Sequence, residues 1–178
     1  MTFHQGTNGR VAVLLPGRNY SPHHPLLYYA WNVLLTKGWS VEEVWWEPDD
    51  LLSEEALIGR VKTTLDKFSS QVPLVVGKSL GSLALPLVIE RGLPAIWLTP
   101  LLSRPELVEA LSRVTSKTLL VGGTADDSWN GDIAKASGQQ VLELLGADHG
   151  LEIPEDPLAS VGLLKEIVAA ITLFVENL

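Results

Sequence analysis

Six short runs rich in Val, Leu and Ile, each followed by a longer stretch of different periodicity, restrict this chain to few folds. The runs lie at 11–15, 41–46, 72–77, 95–98, 118–122 and, more weakly, 140–145. Several are apolar almost throughout rather than alternating, which is the pattern of strands covered on both faces in a parallel sheet. The intervening segments read as helices. Residues 26–36 are apolar-rich and stop at Lys37-Gly38, a natural C-terminal cap. Ser53 is placed to cap a helix whose first turn holds Glu54 and Glu55, and Leu57, Val61, Leu65 and Phe68 mark its inner face. Further helices are predicted over 82–90, 105–111 and 129–136, with an amphipathic one over 158–177 docked on the sheet. Pro86 should kink the helix over 82–90. Strand and helix alternation of this kind implies an α/β three-layer sandwich around a mostly parallel sheet of about six strands, with right-handed crossovers. The 178 residues contain no repeat or linker that would divide them, so one domain is expected over 1–178.

Bulk properties narrow the function. A net charge of −8 and the absence of any basic run argue against nucleic acid as a partner. With no cysteine, neither a disulfide framework nor a thiolate nucleophile is available. The N-terminal stretch lacks the apolar core of a signal peptide, and the apolar runs are strand-length and interrupted. The expectation is therefore a cytoplasmic protein with no membrane span.

One pentapeptide carries chemistry. Gly77-Lys78-Ser79-Leu80-Gly81 fits G-x-S-x-G, with strand 72–77 directly before it and a helix directly after. That strand–turn–helix context holds a serine in a strained conformation with its hydroxyl exposed above the sheet. Gly77-Lys78-Ser79 is not the end of a phosphate-binding loop, because the position that would need the first glycine is Val72 and the residues between are strand. A serine hydroxyl needs a base. Of the four histidines, His149 lies in the loop after the last predicted strand, where α/β sheets carry their sites. The orienting acid is sought at the end of strand 118–122, in Gly123-Thr124-Ala125-Asp126-Asp127; either aspartate is available, and Asp126 is preferred because a similar family pattern, G-x-x-D, places its acid there. The fourth strand ends in Thr99-Pro100-Leu101-Leu102, with no carboxylate, and Asp148 adjoins His149 too closely to bridge to its ring.

The order Ser79, Asp126, His149 is that of an α/β-hydrolase sheet. An oxyanion needs preorganised N–H donors; the backbone of Leu80 is one, and Arg18, in the loop 16–25, is the favoured second. Tyr20 and Trp129 are expected to line the substrate pocket, with Trp45 and Trp46 as further candidates, while Trp31, Trp39 and Trp97 are assigned to the core. His23 and His24 diverge as consecutive side chains and have no third ligand, so no metal is expected.

The loop Pro16-Gly17-Arg18-Asn19-Tyr20-Ser21, the elbow 77–82, the turn 123–126 and the His149 loop together resemble the α/β-hydrolase superfamily, in particular its small lidless bacterial serine hydrolases. The likeness runs from about Val11 to the last helix. It implies a core lacking the first two strands of larger members, no cofactor, and an acyl-enzyme on Ser79 formed from a small-molecule acyl substrate: a carboxylic ester or thioester, with an amide as the near variant. Lys78 stands where esterases and lipases often have an aromatic, His or acid. Only 17 residues separate Pro100 from Thr118, too few for a lid of several helices. The alternative is a non-catalytic binding module on the same scaffold.

Overall fold

The structure is a computed structural model that describes residues 2–178. Its strands are β1 (Thr2–His4), β2 (Val11–Leu15), β3 (Ser40–Glu43), β4 (Leu74–Lys78), β5 (Ala95–Leu98), β6 (Thr118–Gly123) and β7 (Gln140–Leu144). They form one sheet in the order β1-β3-β2-β4-β5-β6-β7. All neighbours are parallel except β1, which pairs antiparallel with β3. The sheet therefore has a seventh strand beyond the six expected. β1 escapes sequence reading because it is three residues long and largely exposed, and it exists through pairing with Val41, Glu42 and Glu43 rather than through any periodicity of its own. β3 is shorter than predicted: it stops at Glu43, and Trp45 and Trp46 lie past its end.

The helices are α1 (Pro25–Thr36), α2 (Glu54–Asp66), α3 (Leu85–Glu90), α4 (Pro105–Leu111), α5 (Gly131–Ala136) and α6 (Pro157–Glu176). Even-numbered residues of β2 and β4, with Ile96, Leu98, Leu119 and Val121, face α1 and α6. Val13, Leu15, Val75, Trp97 and Leu120 face α2 to α5 on the other side. Period-two alternation thus divides apolar strands between two cores. Ser53 caps α2 by accepting the Ala56 N–H at 3.1 Å, and Asp156 caps α6 by accepting that of Ala159 at 2.9 Å.

Two helical expectations change. Pro86 does not kink a helix over 82–90. The chain runs as 3-10 turns over Ser79–Ala84, and α3 then starts at Leu85, which puts Pro86 in the first turn where no intrahelical N–H is needed. The last helix buries an apolar inner face and carries its three charged residues, Lys165, Glu166 and Glu176, on an outer face that also exposes Leu158, Val161 and Leu173. Among the described residues α6 alone is long and apolar enough to cross a membrane by length and composition, with mean hydropathy 2.0, which corrects the expectation that no segment qualifies. Its inner residues Ile167, Ile171, Phe174 and Val175 are nevertheless buried against the sheet.

Between Pro100 and Thr118 the chain forms only α4, whose Leu107, Ala110 and Leu111 are buried in the second core. No lid rises from this segment.

Candidate active site

The residues singled out in the sequence converge on the rim formed by the C-terminal ends of the parallel strands. Among the described residues, the five non-glycine residues with positive φ all follow strands on this rim: Asn19 after β2, Ser79 after β4, Thr99 after β5, and Leu151 and Glu155 after β7. Backbone strain is concentrated where the side chains of interest sit, the pattern expected of a site rather than of a scaffold.

Ser79 has φ 50°, directly after β4. Its turn is possible only because its flanks lack side chains. A Cβ on Gly77 would lie 2.4 Å from the Trp97 ring, and one on Gly81 would lie 2.5 Å from the Leu15 carbonyl oxygen. Ser82 fastens the turn from beneath: its hydroxyl donates to the Ser79 carbonyl at 2.6 Å and accepts the Leu101 N–H at 3.1 Å, joining the elbow to the loop after β5.

His149 Nε2 lies 2.7 Å from Ser79 Oγ, and His149 Nδ1 lies 2.8 Å from Asp126 Oδ2. The loop that carries the imidazole is built by Asp148, whose Oδ1 accepts the N–H groups of Gly150 (2.7 Å) and Glu152 (3.1 Å). Asp148 is thus a loop former, committed to backbone rather than to the ring. Asp126 is buried, and its second oxygen accepts the Ser128 N–H at 2.8 Å. Burial pushes its carboxyl up, but the bonds from His149 and Ser128 outweigh burial and leave it below the usual carboxylate range. Asp127 is exposed and does not reach the ring. With a carboxylate on Nδ1, the neutral imidazole carries its proton there and turns a lone pair on Nε2 toward the hydroxyl.

Lys78 is the group that sequence reasoning undervalued. It is 3 % exposed, and its Nζ donates to the His149 carbonyl at 2.8 Å while lying 5.1 Å from the centroid of the Tyr20 ring. Burial lowers its pKa to about 8, against the opposing pull of Asp126 and Asp148. The residue next to Ser79 therefore holds the loop of His149. The available signal was a lysine at the end of an otherwise apolar strand.

Tyr20 covers Lys78, and its hydroxyl oxygen accepts the Leu26 N–H at 2.9 Å; burial raises the phenol to about 12. It stands between two hollows. One, of about 340 Å3, runs along Pro16, Tyr20, Trp45, Trp46 and Leu51; the other, of about 380 Å3, runs along Tyr20, Leu26, Asp148, Leu151, Ile153 and Leu164. A third hollow of about 260 Å3 is lined by Arg18 and Leu80 together with Leu52, Leu57, Leu83 and Arg104. The two candidate donors therefore share one cavity. The Gly17 N–H is already committed to the Tyr20 carbonyl at 3.1 Å. Trp129 is not in this assembly. Its ring lies over Gly122 and its Nε1–H donates to Glu143 at 2.9 Å, so it packs beside β7 and lines none of these three hollows. Trp129 sits just past the acid in sequence, but the turn at Asp126 sends its ring to the far side of the strand.

Trp39 and Trp97 are buried in the core, and Trp31 is half-buried against it. His23 and His24 take separate partners: His23 meets Glu43, whereas the Nδ1 of His24 accepts the Ser21 N–H at 2.9 Å.

No protein-family model and no curated protein matches this chain. Solved structures do. Est1E from Butyrivibrio proteoclasticus superposes with a TM-score of 0.79 at 11 % identity, covering 98 % of this chain and 92 % of that one. A serine hydrolase without a lid from Xanthomonas campestris gives 0.69 at 12 % identity, over 98 % and 87 % of the two chains. A monoacylglycerol lipase from Paleococcus ferrophilus gives 0.71 at 14 % identity, over 97 % and 98 %. Identities this low speak to architecture alone, and the architecture is unambiguous: this chain has the α/β-hydrolase fold.

Proposed function

We propose that this protein is a serine hydrolase that cleaves a carboxylic ester or thioester through an acyl-enzyme on Ser79. The observation that carries the reading is the relay of two short contacts, 2.7 Å from Ser79 Oγ to His149 Nε2 and 2.8 Å from His149 Nδ1 to Asp126. The Ser79 hydroxyl attacks the substrate carbonyl as its proton passes to Nε2. Asp126 stabilises the imidazolium, and the proton then goes to the departing alcohol or thiol. Water, deprotonated by the same nitrogen, releases the acid. The N–H groups of Leu80 and Arg18 hold the oxyanion. The hollow beside Arg18 and Leu80, about 260 Å3, adjoins the elbow and is lined by Asp50, Glu54 and Arg104 as well as by Leu57 and Leu83. Est1E, which shares the fold, has been captured with ferulic acid bound, in keeping with a carboxylic acid product on this scaffold.

The test is labelling with a fluorophosphonate, which phosphonylates an activated serine. Wild type is expected to label and Ser79→Ala not to, with both melting alike; a panel of p-nitrophenyl esters of rising acyl length then defines the pocket. A wild type that stays unlabelled while its Ser79 is accessible would leave a binding module on a hydrolase scaffold.

A further inference from the structure

Breaking an acyl bond fixes where the two halves of a substrate lie. The carbonyl oxygen points at the N–H donors, and the departing atom lies beside His149 Nε2, which hands it a proton. The hollow of about 380 Å3 adjoins the loop of that base: Asp148 and Gly150, on either side of His149, both line it, as does Tyr20. Its size suits a small molecule. Leu26 and Leu151, both buried, and the half-buried Ile153 and Leu164 give it an apolar floor.

The charge of this hollow is one-sided. Asp148, Glu152, Glu155 and Asp156 line it, the last three at exposed positions, and no Lys, Arg or His does. Among the described residues none of these carboxylates has an ion-pair partner. Asp148 and Asp156 accept backbone N–H groups through Oδ1, which leaves the second oxygen of each without a hydrogen bond. Lys78 attracts Asp148 but does not line the hollow, and its Nζ is committed to the His149 carbonyl at 2.8 Å. The other two hollows differ. The one along Trp45 and Trp46 has no carboxylate in its lining. In the one beside Arg18, Asp50 pairs with Arg60 and Glu54 with Arg104. Of the three, only the hollow beside the base carries unbalanced negative charge.

We propose that this hollow receives the leaving group, and that the substrate is an ester or thioester whose alcohol or thiol half has an apolar body ending in an ammonium. This rests on the serine-hydrolase reading and adds which half of the substrate carries the charge. The body displaces water from the floor, while the ammonium stays at the mouth beside Glu152 and Glu155, where neither charge loses all its water.

The test compares two esters of one shape, 4-(trimethylammoniomethyl)phenyl acetate and its uncharged isostere 4-neopentylphenyl acetate. Wild type should favour the cation about tenfold in kcat/KM, chiefly through KM, as several weak exposed pairs act together. The preference should shrink in about 0.5 M salt. In the Glu152→Gln/Glu155→Gln variant the ratio should fall to about twofold. The Glu90→Gln/Glu109→Gln control removes the same charge at exposed positions that line none of the three hollows, and it should keep the wild-type ratio. That control separates the hollow from general attraction by a chain of net charge −8. Equal kcat/KM for the two esters in wild type, or the same fall in both double variants, overturns the inference and leaves the hydrolase reading intact. If neither ester turns over and no fluorophosphonate labels Ser79, the hydrolase reading fails, and calorimetry of the two free phenols on the Ser79→Ala protein still decides about the hollow: tighter binding of the cationic phenol supports it and equal binding overturns it. Thermal melts matching wild type confirm that the variants are folded.

Discussion

Lys78→Met separates the stability of this fold from the positioning of its base. In wild type the ammonium is buried, and its pKa falls from 10.5 to about 8. At ~1.4 kcal/mol for each tenfold change in proton affinity, burying the charge costs about 3 kcal/mol at neutral pH. Methionine removes that cost. It also removes the bond to the His149 carbonyl, worth ~1.5–3 kcal/mol as a charge-assisted contact. The two nearly cancel, so the variant should melt within about 5 °C of wild type, taking ~2–4 °C per kcal/mol for a chain of this size. Activity should not cancel. The His149 loop loses its tether to β4, and a drift of about 1 Å in the base lowers turnover by ~10- to 100-fold. Hydrolysis of a p-nitrophenyl ester should show the loss in kcat with KM little changed, and fluorophosphonate labelling should slow in step. The pH dependence has a definite sign. Between about 8 and 10.5 the unfolded chain holds a proton that the folded chain has released, so the Lys78 contribution to stability rises with pH across this window. The variant lacks that rise, and its melting temperature relative to wild type should decline from neutral to alkaline pH. A variant that turns over within twofold of wild type would refute the tethering role, and a pH-independent difference in melting would refute the buried charge.

Asp126→Asn should reduce kcat about 10^4-fold, since an amide N–H facing Nδ1 forces the wrong tautomer on His149, while Asp127→Asn, at an exposed position that does not reach the ring, should leave the rate unchanged; steady-state kinetics on both variants decides between the two aspartates. Gly81→Ala should destabilise by about 1–3 kcal/mol through overpacking, because its Cβ would press on the Leu15 carbonyl at 2.5 Å, and should slow labelling of Ser79 as the elbow shifts; a urea midpoint equal to wild type would show that β2 yields more readily than the contact suggests.

How much of this was legible beforehand follows from which forces write themselves into a sequence. Strands buried on both faces must be apolar at every position, so β2, β4, β5 and β6 stand out without any alignment. The elbow was legible for a related reason, since Gly77 is demanded by the Trp97 ring and Gly81 by the Leu15 backbone, both too close to admit a side chain. Features that depend on a distant partner were not. β1 owes its existence to β3, and Glu43 is buried in the strand next to the edge, where His4, 39 residues away, and Trp45 bond to it at 2.9 and 3.0 Å. Trp129 was misplaced because adjacency in sequence says nothing about which side of a strand a turn delivers a ring to. Lys78 shows the limit most sharply. A charge inside a strand reads locally as an interruption, and only the loop returning from β7, 71 residues later, turns it into the support of the imidazole. The hydroxyl, the imidazole and the carboxylate are named by their chemistry, whereas the residue that holds them in line is named only by the fold. Kinetics on Lys78→Met therefore tests the part of this site that no motif announces.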